Sequence, residues 1–132
     1  MWAIIAFTKL GFGDKAVEYY RMINPIEHSR TRETAIKYKV EPYVIPADIY
    51  GAESLAGRGG WTWYTGSSGW YYLAGIQYIL GLNINNNIMS FNPCIPKNWE
   101  EFEIRYKFGE SIYNFRIKLK RVPNLGYPLI TL

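Results

Sequence analysis

The sequence predicts an α+β chain, with helices first and antiparallel strands after them, and three observations carry that expectation. Ala16, Tyr19, Tyr20 and Ile23 recur at the spacing of one helix face. Trp70 to Leu82 is an almost unbroken apolar run, preceded by Thr65-Gly66-Ser67-Ser68 and interrupted only by Gly75, Gln77 and Gly81. Past Asn85-Asn86-Asn87 the period drops to two, so that Phe102, Ile104, Tyr106 and Phe108 alternate with Glu103, Arg105 and Lys107. Helical segments followed by strand segments are the pattern of an α+β arrangement.

Taken in order, Met1 to Leu10 reads as the later part of a buried helix that starts on apolar residues with no cap. Gly11-Phe12-Gly13-Asp14 breaks it, and Asp14 is placed to cap a second helix from Lys15 to about Ile23. Asn24-Pro25 ends that helix, because the residue before proline is pushed out of the helical region. The pair forms an αα-hairpin. His28 to Glu33 is a polar connector in which Thr31 or Ser29 can cap a short helical turn through Lys37. His28 itself reads as a loop histidine with a local hydrogen bond rather than a catalytic base. Val40 to Pro46 is extended by its two prolines, and Ala47 to Gly60 is a long loop of the kind that usually carries function. The helix running to Leu80 closes on Gly81 as its C-cap. Ile88 to Phe91 is a short strand, Asn92 to Pro96 a stiff turn, and Gly109-Glu110-Ser111 the turn of a hairpin. Its second strand alternates Tyr113, Phe115, Ile117 and Leu119 with Asn114, Arg116, Lys118 and Lys120. One face of that hairpin is apolar and the other charged, so it packs on one side only. Tyr127 to Leu132 can add a last strand.

Composition narrows the function classes. The 132 residues suit one domain with a real core, and 48% hydrophobic against 20% charged content is globular. The 17% aromatic fraction, with 12 Tyr and 5 Trp, points toward a carbohydrate or nucleic-acid surface. A net charge of +4 is mild and forms no basic block of nucleic-acid type. Cys94 stands alone, which excludes an intrachain disulfide or a cysteine metal cluster and suits a reducing compartment. His28 is the only histidine, and no metal-ligand spacing is visible. No signal peptide opens the chain and no apolar run reaches spanning length, so a cytoplasmic location without a membrane segment is expected.

The stretch from Gly57 to Tyr72 organises the functional reading. Its glycines allow close backbone approach to a ligand, Ser and Thr hydroxyls can cap a first helical turn, and the unpaired amides of that turn form an anion site. Trp61, Trp63 and Tyr64 beside it offer flat faces to a sugar ring or a base. The purely structural alternative carries most of the weight from pattern alone: capped helices after glycine loops are common, this one has neither the P-loop lysine nor the dinucleotide spacing, and Trp61, Trp63 and Trp70 can equally be core residues.

Several stretches in order carry a family resemblance: Asn24-Pro25-Ile26-Glu27-His28-Ser29-Arg30-Thr31, Tyr38 to Val44, Ala47-Asp48-Ile49-Tyr50, Gly57 to Gly66, and Asn92-Pro93-Cys94-Ile95-Pro96. Together they resemble the C-terminal part of the family 94 glycoside phosphorylases (cellobiose and chitobiose phosphorylase), and look most like the phosphorylase-like domain of cyclic β-1,2-glucan synthases. The resemblance extends to about Lys120. It implies that residues 1–84 are the C-terminal helices of an (α/α)6 catalytic barrel and residues 85–132 an antiparallel β-module, with Met1 inside a barrel helix.

The resemblance also implies a reaction. In this family phosphate attacks the anomeric carbon of a β-glucoside with inversion, and one Asp is general acid to the leaving oxygen, so the second carboxylate of an inverting hydrolase is not required. The family's Thr-Gly phosphate contacts fall on Thr65 and Gly66. Glu41, Arg58 and Trp63 are carried as substrate-side groups, each with a bland counterpart: a loop salt bridge, a solvated charge and a core aromatic. The family's phosphate-binding His and general-acid Asp lie upstream of Met1, so His28, Asp14 and Asp48 do not inherit those roles. No catalytic residue, metal or cofactor is assigned, and the chain alone is expected not to turn over. The implied partners are a β-glucan oligosaccharide, phosphate and the N-terminal part of the barrel. An incomplete core would also favour self-association.

Two other classes remain. One is a non-catalytic carbohydrate-binding module. The other is a single-strand nucleic-acid binder using Arg105, Lys107, Arg116, Lys118 and Lys120, which the opposite facing of the hairpin aromatics argues against.

Overall fold

The computed structural model describes residues 1–120 and 129–131. Helices α1 (Trp2–Lys9) and α2 (Gly13–Met22) form the expected hairpin. They pack against α5 (Thr65–Leu73) and the π-helical turn Ala74–Ile79 that continues it. Ile4, Ala16, Val17, Ala74, Ile79 and Ile95 make the core there. Strands β3 (Leu82–Asn85) and β4 (Ile88–Phe91) pair as one antiparallel hairpin. Strands β5 (Glu101–Phe108), β6 (Ser111–Lys120) and β7 (Leu129–Thr131) form a three-stranded antiparallel sheet in that order. Leu82, Ile104 and Ile117 join these strands in a second core, which Leu80 and Phe102 tie to the first. Helices with small antiparallel sheets, most of the strands following the helices, fit the α+β arrangement the sequence predicts. Tyr127, Pro128 and Leu132 of the predicted last strand lie outside the described residues.

Several local expectations are corrected. Asp14 does not cap α2: the N-cap is Phe12 with no side-chain cap, and Asp14 Oδ1 instead accepts the Lys97 N–H at 3.0 Å. Asp14 thereby fastens the helical hairpin to the segment that enters β5. Pro25 does more than end α2. With Asn24 as N-cap, its Oδ1 taking the Ile26 N–H at 2.9 Å, Pro25 opens the short helix α3 (Pro25–His28), since proline suits the first helical position. Thr31 does cap α4 (Arg32–Tyr38), in a reciprocal box with Thr34. His28 makes the expected local bond, Nε2 donating to the Met22 carbonyl at 2.6 Å, and its ring stacks on Tyr38 at 4.8 Å.

The long loop from Ala47 to Gly60 closes on itself. Strands β1 (Asp48–Ile49) and β2 (Gly59–Gly60) pair antiparallel around a 3-10 turn at Glu53–Leu55. Gly59 and Gly60 serve this closure. A Cβ on Gly59 would strike Val40 and the Tyr38 ring, and one on Gly60 would lie 2.6 Å from Asp48 Oδ1. The apolar run is also less buried than predicted: no residue of α5 is buried, and Trp70 and Tyr72 are exposed. Ala74 and Ile79, in the π turn, are what reach the core. That turn accommodates Tyr20, which stacks on Tyr71 at 4.0 Å with its hydroxyl against the empty Cβ position of Gly75.

In the β region, β3 escaped prediction. It turns into β4 through Asn86-Asn87, with Asn86 at φ 54°, a conformation asparagine tolerates. The division at residue 84 falls inside β3. The second hairpin turn is two residues, Gly109-Glu110, because Phe108 pairs with Ser111. The alternation itself holds: Ile104 and Ile117 are buried, and Glu103 lies opposite Arg116, whose Nε donates to Oε1 at 2.6 Å. At the distal end the apolar face outruns its cover, leaving Phe108 and Tyr113 exposed, while Ile112 is exposed on the charged face opposite Lys107.

Tyr38 anchors a small third core with Val40 and Val44 beneath the β1–β2 clip. It is 1% exposed and its hydroxyl has no partner among the described residues. Burial pushes its pKa up to about 12. The unfolded chain loses that proton near pH 10, so between pH 10 and 12 the unfolded state binds fewer protons and stability falls as pH rises. The expected loss across that window is about 3 kcal/mol from Tyr38, and Tyr38→Phe should flatten it in urea melts taken at successive pH values.

Candidate functional site

Thr65 and Gly66 are the first two residues of α5, after the N-cap Tyr64. No Ser or Thr hydroxyl caps this terminus, against expectation. The Ser67 N–H is taken by the Tyr64 carbonyl at 3.1 Å. The amides of Thr65 and Gly66 precede any residue of the helix that could accept them, and they form no hydrogen bond among the described residues. Both residues are exposed. A Cβ on Gly66 would meet nothing nearer than the Tyr64 ring at 3.6 Å, so the protein's own packing does not require glycine there. Two free donors at the positive end of a nine-residue helix are therefore open to an anion.

The approach to this terminus is strained and aromatic. Trp61 and Trp63 hold φ of 48° and 63°, in the left-handed region that costs about 1–2 kcal/mol per non-glycine residue. Both indoles are turned outward, 74% and 65% exposed, and neither belongs to a core cluster of the described residues. The Ala47 N–H holds the Trp61 carbonyl at 3.1 Å, so the β1–β2 clip is what fixes the turn. Trp61 pairs with Tyr64 at 5.5 Å between ring centres. Strain of this kind collects at ligand-binding segments.

Of the remaining predicted residues, Glu41 and Trp63 come together. Trp63 Nε1 donates to Glu41 Oε1 at 3.4 Å, and Tyr43 packs edge-on to Trp63 at 6.1 Å. Arg58 stays apart. It is exposed just before β2, its backbone serves the loop through Tyr50 and Leu55, and its side chain forms no ion pair among the described residues. Tyr43, 73% exposed, is a member the sequence reading missed. Its place after Pro42, in a stretch extended by prolines, was the available signal. Trp70 leaves this group and packs on Trp2, ring centres 4.9 Å apart.

This surface is open rather than enclosed. Two cavities, of about 470 and 530 Å3, lie instead along α2 and the segment from Asn92 to Trp99, and none of the predicted site residues lines them. Cys94 borders the first, and burial, helped by the Asp14 carboxylate, pushes its thiol pKa up, so it is a poor nucleophile. Among the described residues no cluster of His, Cys, Asp and Glu could hold a metal ion, and no helix is long and apolar enough to cross a membrane.

Comparison with known proteins supplies the lineage. Residues 1–81 match the model of the glycosyl hydrolase 94 superfamily, catalytic domain. The chain is 38% identical over 130 residues to cyclic beta-(1,2)-glucan synthase NdvB of Rhizobium meliloti (strain 1021), covering 98% of this chain and 4% of that protein. It is 36% identical over 132 residues to the N,N'-diacetylchitobiose phosphorylase of Vibrio proteolyticus, covering 99% of this chain and 16% of the relative. Against the solabiose phosphorylase of Paenibacillus borealis it is 29% identical over 136 residues, at 98% and 16%. The chain thus spans at most 16% of the length of these relatives. With the family model covering more than half of it, the chain belongs to the glycosyl hydrolase 94 superfamily.

Proposed function

We propose that this chain is the phosphate- and sugar-contacting C-terminal portion of an inverting β-glucoside phosphorylase or cyclic β-1,2-glucan synthase-type transferase. Residues 1–84 belong to an (α/α)6 barrel and the remainder to a β-module. Thr65 and Gly66 hold phosphate through their free amides. Trp63 presents its face to a sugar ring, Glu41 fixes the indole through Nε1, and Arg58 adds positive charge from the clip. The general-acid Asp comes from the portion of the barrel that precedes residue 1, so the chain alone is without turnover. The exposed α1–α5 surface carrying Trp2 and Trp70 receives those earlier helices. A cytoplasmic location fits the lone half-buried thiol.

The observation that carries this reading is the pair of unaccepted amides at Thr65 and Gly66 beside outward-facing indoles. Its test is a thermal melt in phosphate or sulfate against chloride at matched ionic strength. At tenfold over the dissociation constant, an anion bound only to the folded chain stabilises by about 1.4 kcal/mol, a rise of roughly 3–6 °C. Equal melting temperatures in phosphate and chloride would overturn the reading. A second reading, a non-catalytic carbohydrate-binding module, is favoured by the exposure of Trp61, Trp63 and Tyr43 alone. It predicts β-glucan binding that phosphate does not alter.

A further inference from the structure

None of the residues at the α5 terminus lines the cavity of about 470 Å3. Its walls come from segments distant in sequence. Lys9 ends α1, Asp14 lies in the first turn of α2, Gln77 and Tyr78 belong to the π turn, and Asn92 and Lys97 follow β4. Leu119 of β6 completes the lining, so the cavity sits where the helices meet the strands. Small-molecule sites collect at such junctions, and their volumes run from about 300 to 1,000 Å3. At about 1.5 Å per residue, the helical run from Thr65 to Gln77 is about 18 Å long, which sets the cavity well apart from the α5 terminus.

The walls are pinned before any ligand arrives. The Asp14 carboxylate accepts the Lys97 N–H at 3.0 Å, the Cys94 N–H donates to the Ile79 carbonyl at 2.9 Å, and the Asn92 N–H donates to the Gly81 carbonyl at 2.9 Å. A Cβ on Gly13 would strike the Ile95 carbonyl, so α2 starts in direct contact with the segment that carries Cys94 and Lys97. A ligand entering a site built this way orders little further backbone, and binding loses little to entropy.

The polar side chains around the cavity are not used by the fold. Lys9, Gln77, Tyr78, Asn92 and the Lys97 ammonium make no hydrogen bond or ion pair among the described residues. Two cations therefore stand against one carboxylate, Asp14, and the Lys97 amide already occupies one of its oxygens. A lysine ammonium is a compact charge with three donors, and it suits phosphate. The side-chain amides of Gln77 and Asn92 and the Tyr78 hydroxyl both donate and accept, as sugar hydroxyls require. A bare phosphate would leave most of the cavity unfilled, and a neutral sugar would leave both lysines unused.

We infer that this cavity binds a phosphorylated monosaccharide, with Lys9 and Lys97 on the phosphate and Gln77, Tyr78 and Asn92 on the sugar hydroxyls. A ligand seated there touches the helices and the strands at once and ties one to the other. Its binding does not depend on an anion at Thr65 and Gly66.

Cys94, the one cysteine of the chain, lies in the same wall and reports occupancy directly. Its alkylation by iodoacetamide, at fixed pH and ionic strength, should slow saturably as glucose 1-phosphate or glucose 6-phosphate is added. Glucose alone and inorganic phosphate alone should each need at least about tenfold higher concentration for the same protection. Lys9→Ala with Lys97→Ala should raise the half-protecting concentration of the sugar phosphate at least about tenfold. Neither ammonium is used by the fold, so this variant should melt with the parent in chloride. Gly66→Asp should leave the protection unchanged, which separates this cavity from the α5 terminus. In the unmodified nitrogen-15-labelled chain the Gly11 and Gly13 amides, both at the cavity, should shift with the same midpoint as the protection. Alkylation of Cys94 that no sugar phosphate slows would overturn the proposal. So would protection that survives in the double lysine variant, protection lost in Gly66→Asp, or equal protection by glucose alone or by inorganic phosphate alone.

Discussion

Gly81→Ala is expected to lower the stability of this chain by about 2–5 kcal/mol, a large share of the 5–15 kcal/mol typical of a small domain. Two effects add. Gly81 sits at φ 73°, where an alanine costs about 1–2 kcal/mol. Its Cβ would also land directly on the Asn92 carbonyl group and the Pro93 nitrogen. Overpacking costs about 1–3 kcal/mol, and backbone cannot swing aside as a side chain can. The joint is held from three directions, which limits relief. The Gly81 carbonyl accepts the Asn92 N–H at 2.9 Å and Asn83 Nδ2 at 3.0 Å, while the Cys94 N–H donates to the Ile79 carbonyl at 2.9 Å. Urea unfolding should show a lower midpoint at unchanged slope. Gly69→Ala is the control, since its Cβ meets nothing within 4 Å, and it should stabilise the helix by up to about 1 kcal/mol. A loss below about 1 kcal/mol in Gly81→Ala would show that the joint between the π turn and β3 yields.

Gly66→Asp is expected to separate folding from binding by moving them in opposite directions. A carboxylate in the first turn of α5 interacts favourably with the helix dipole, worth about 0.3–1 kcal/mol. The added Cβ meets only the Tyr64 ring, at ordinary contact distance. The variant should therefore melt at or above the parent in chloride. In phosphate it should lose the whole anion-dependent rise, because a fixed negative charge then occupies the anion's place. A variant that keeps the phosphate response would remove Gly66 from the site, and one that melts far lower in chloride would show that Gly66 is needed for packing after all.

The α+β order and the β5–β6 hairpin were legible because their signals are local: apolar period, alternation and a glycine turn, all reporting which face is buried. Gly81 was legible for the same reason, as a glycine closing an apolar run. What escaped was set by contacts distant in sequence. Asp14 has the identity and position of a cap, yet its carboxylate is drawn to the Lys97 amide, a partner no local window contains. Gly59 and Gly60 look like ligand-approach glycines but are fixed by Val40, Tyr38, Asp48 and Tyr50 packing from other segments. The apolar run after Ser68 predicts burial, yet Trp70 and Tyr72 stay exposed, because they lie on opposite flanks of α5 while Tyr71 between them takes the packing against Tyr20. The left-handed turns of Trp61 and Trp63 were invisible, since tryptophan rarely adopts them and the clip that imposes them forms across the loop. Thr65, Gly66, Glu41 and Trp63 were assigned through motif order alone, whereas Tyr43 needed the fold to bring it to Trp63.

The most direct test of the phosphate assignment is a titration of the nitrogen-15-labelled chain with inorganic phosphate, followed amide by amide and referenced to chloride. The Thr65 and Gly66 resonances should shift furthest and saturate together, with the Trp63 indole N–H following when a β-glucan oligosaccharide is added. Unmoved Thr65 and Gly66 amides, or saturable shifts confined to Lys9, Lys97 and the residues around them, would contradict it.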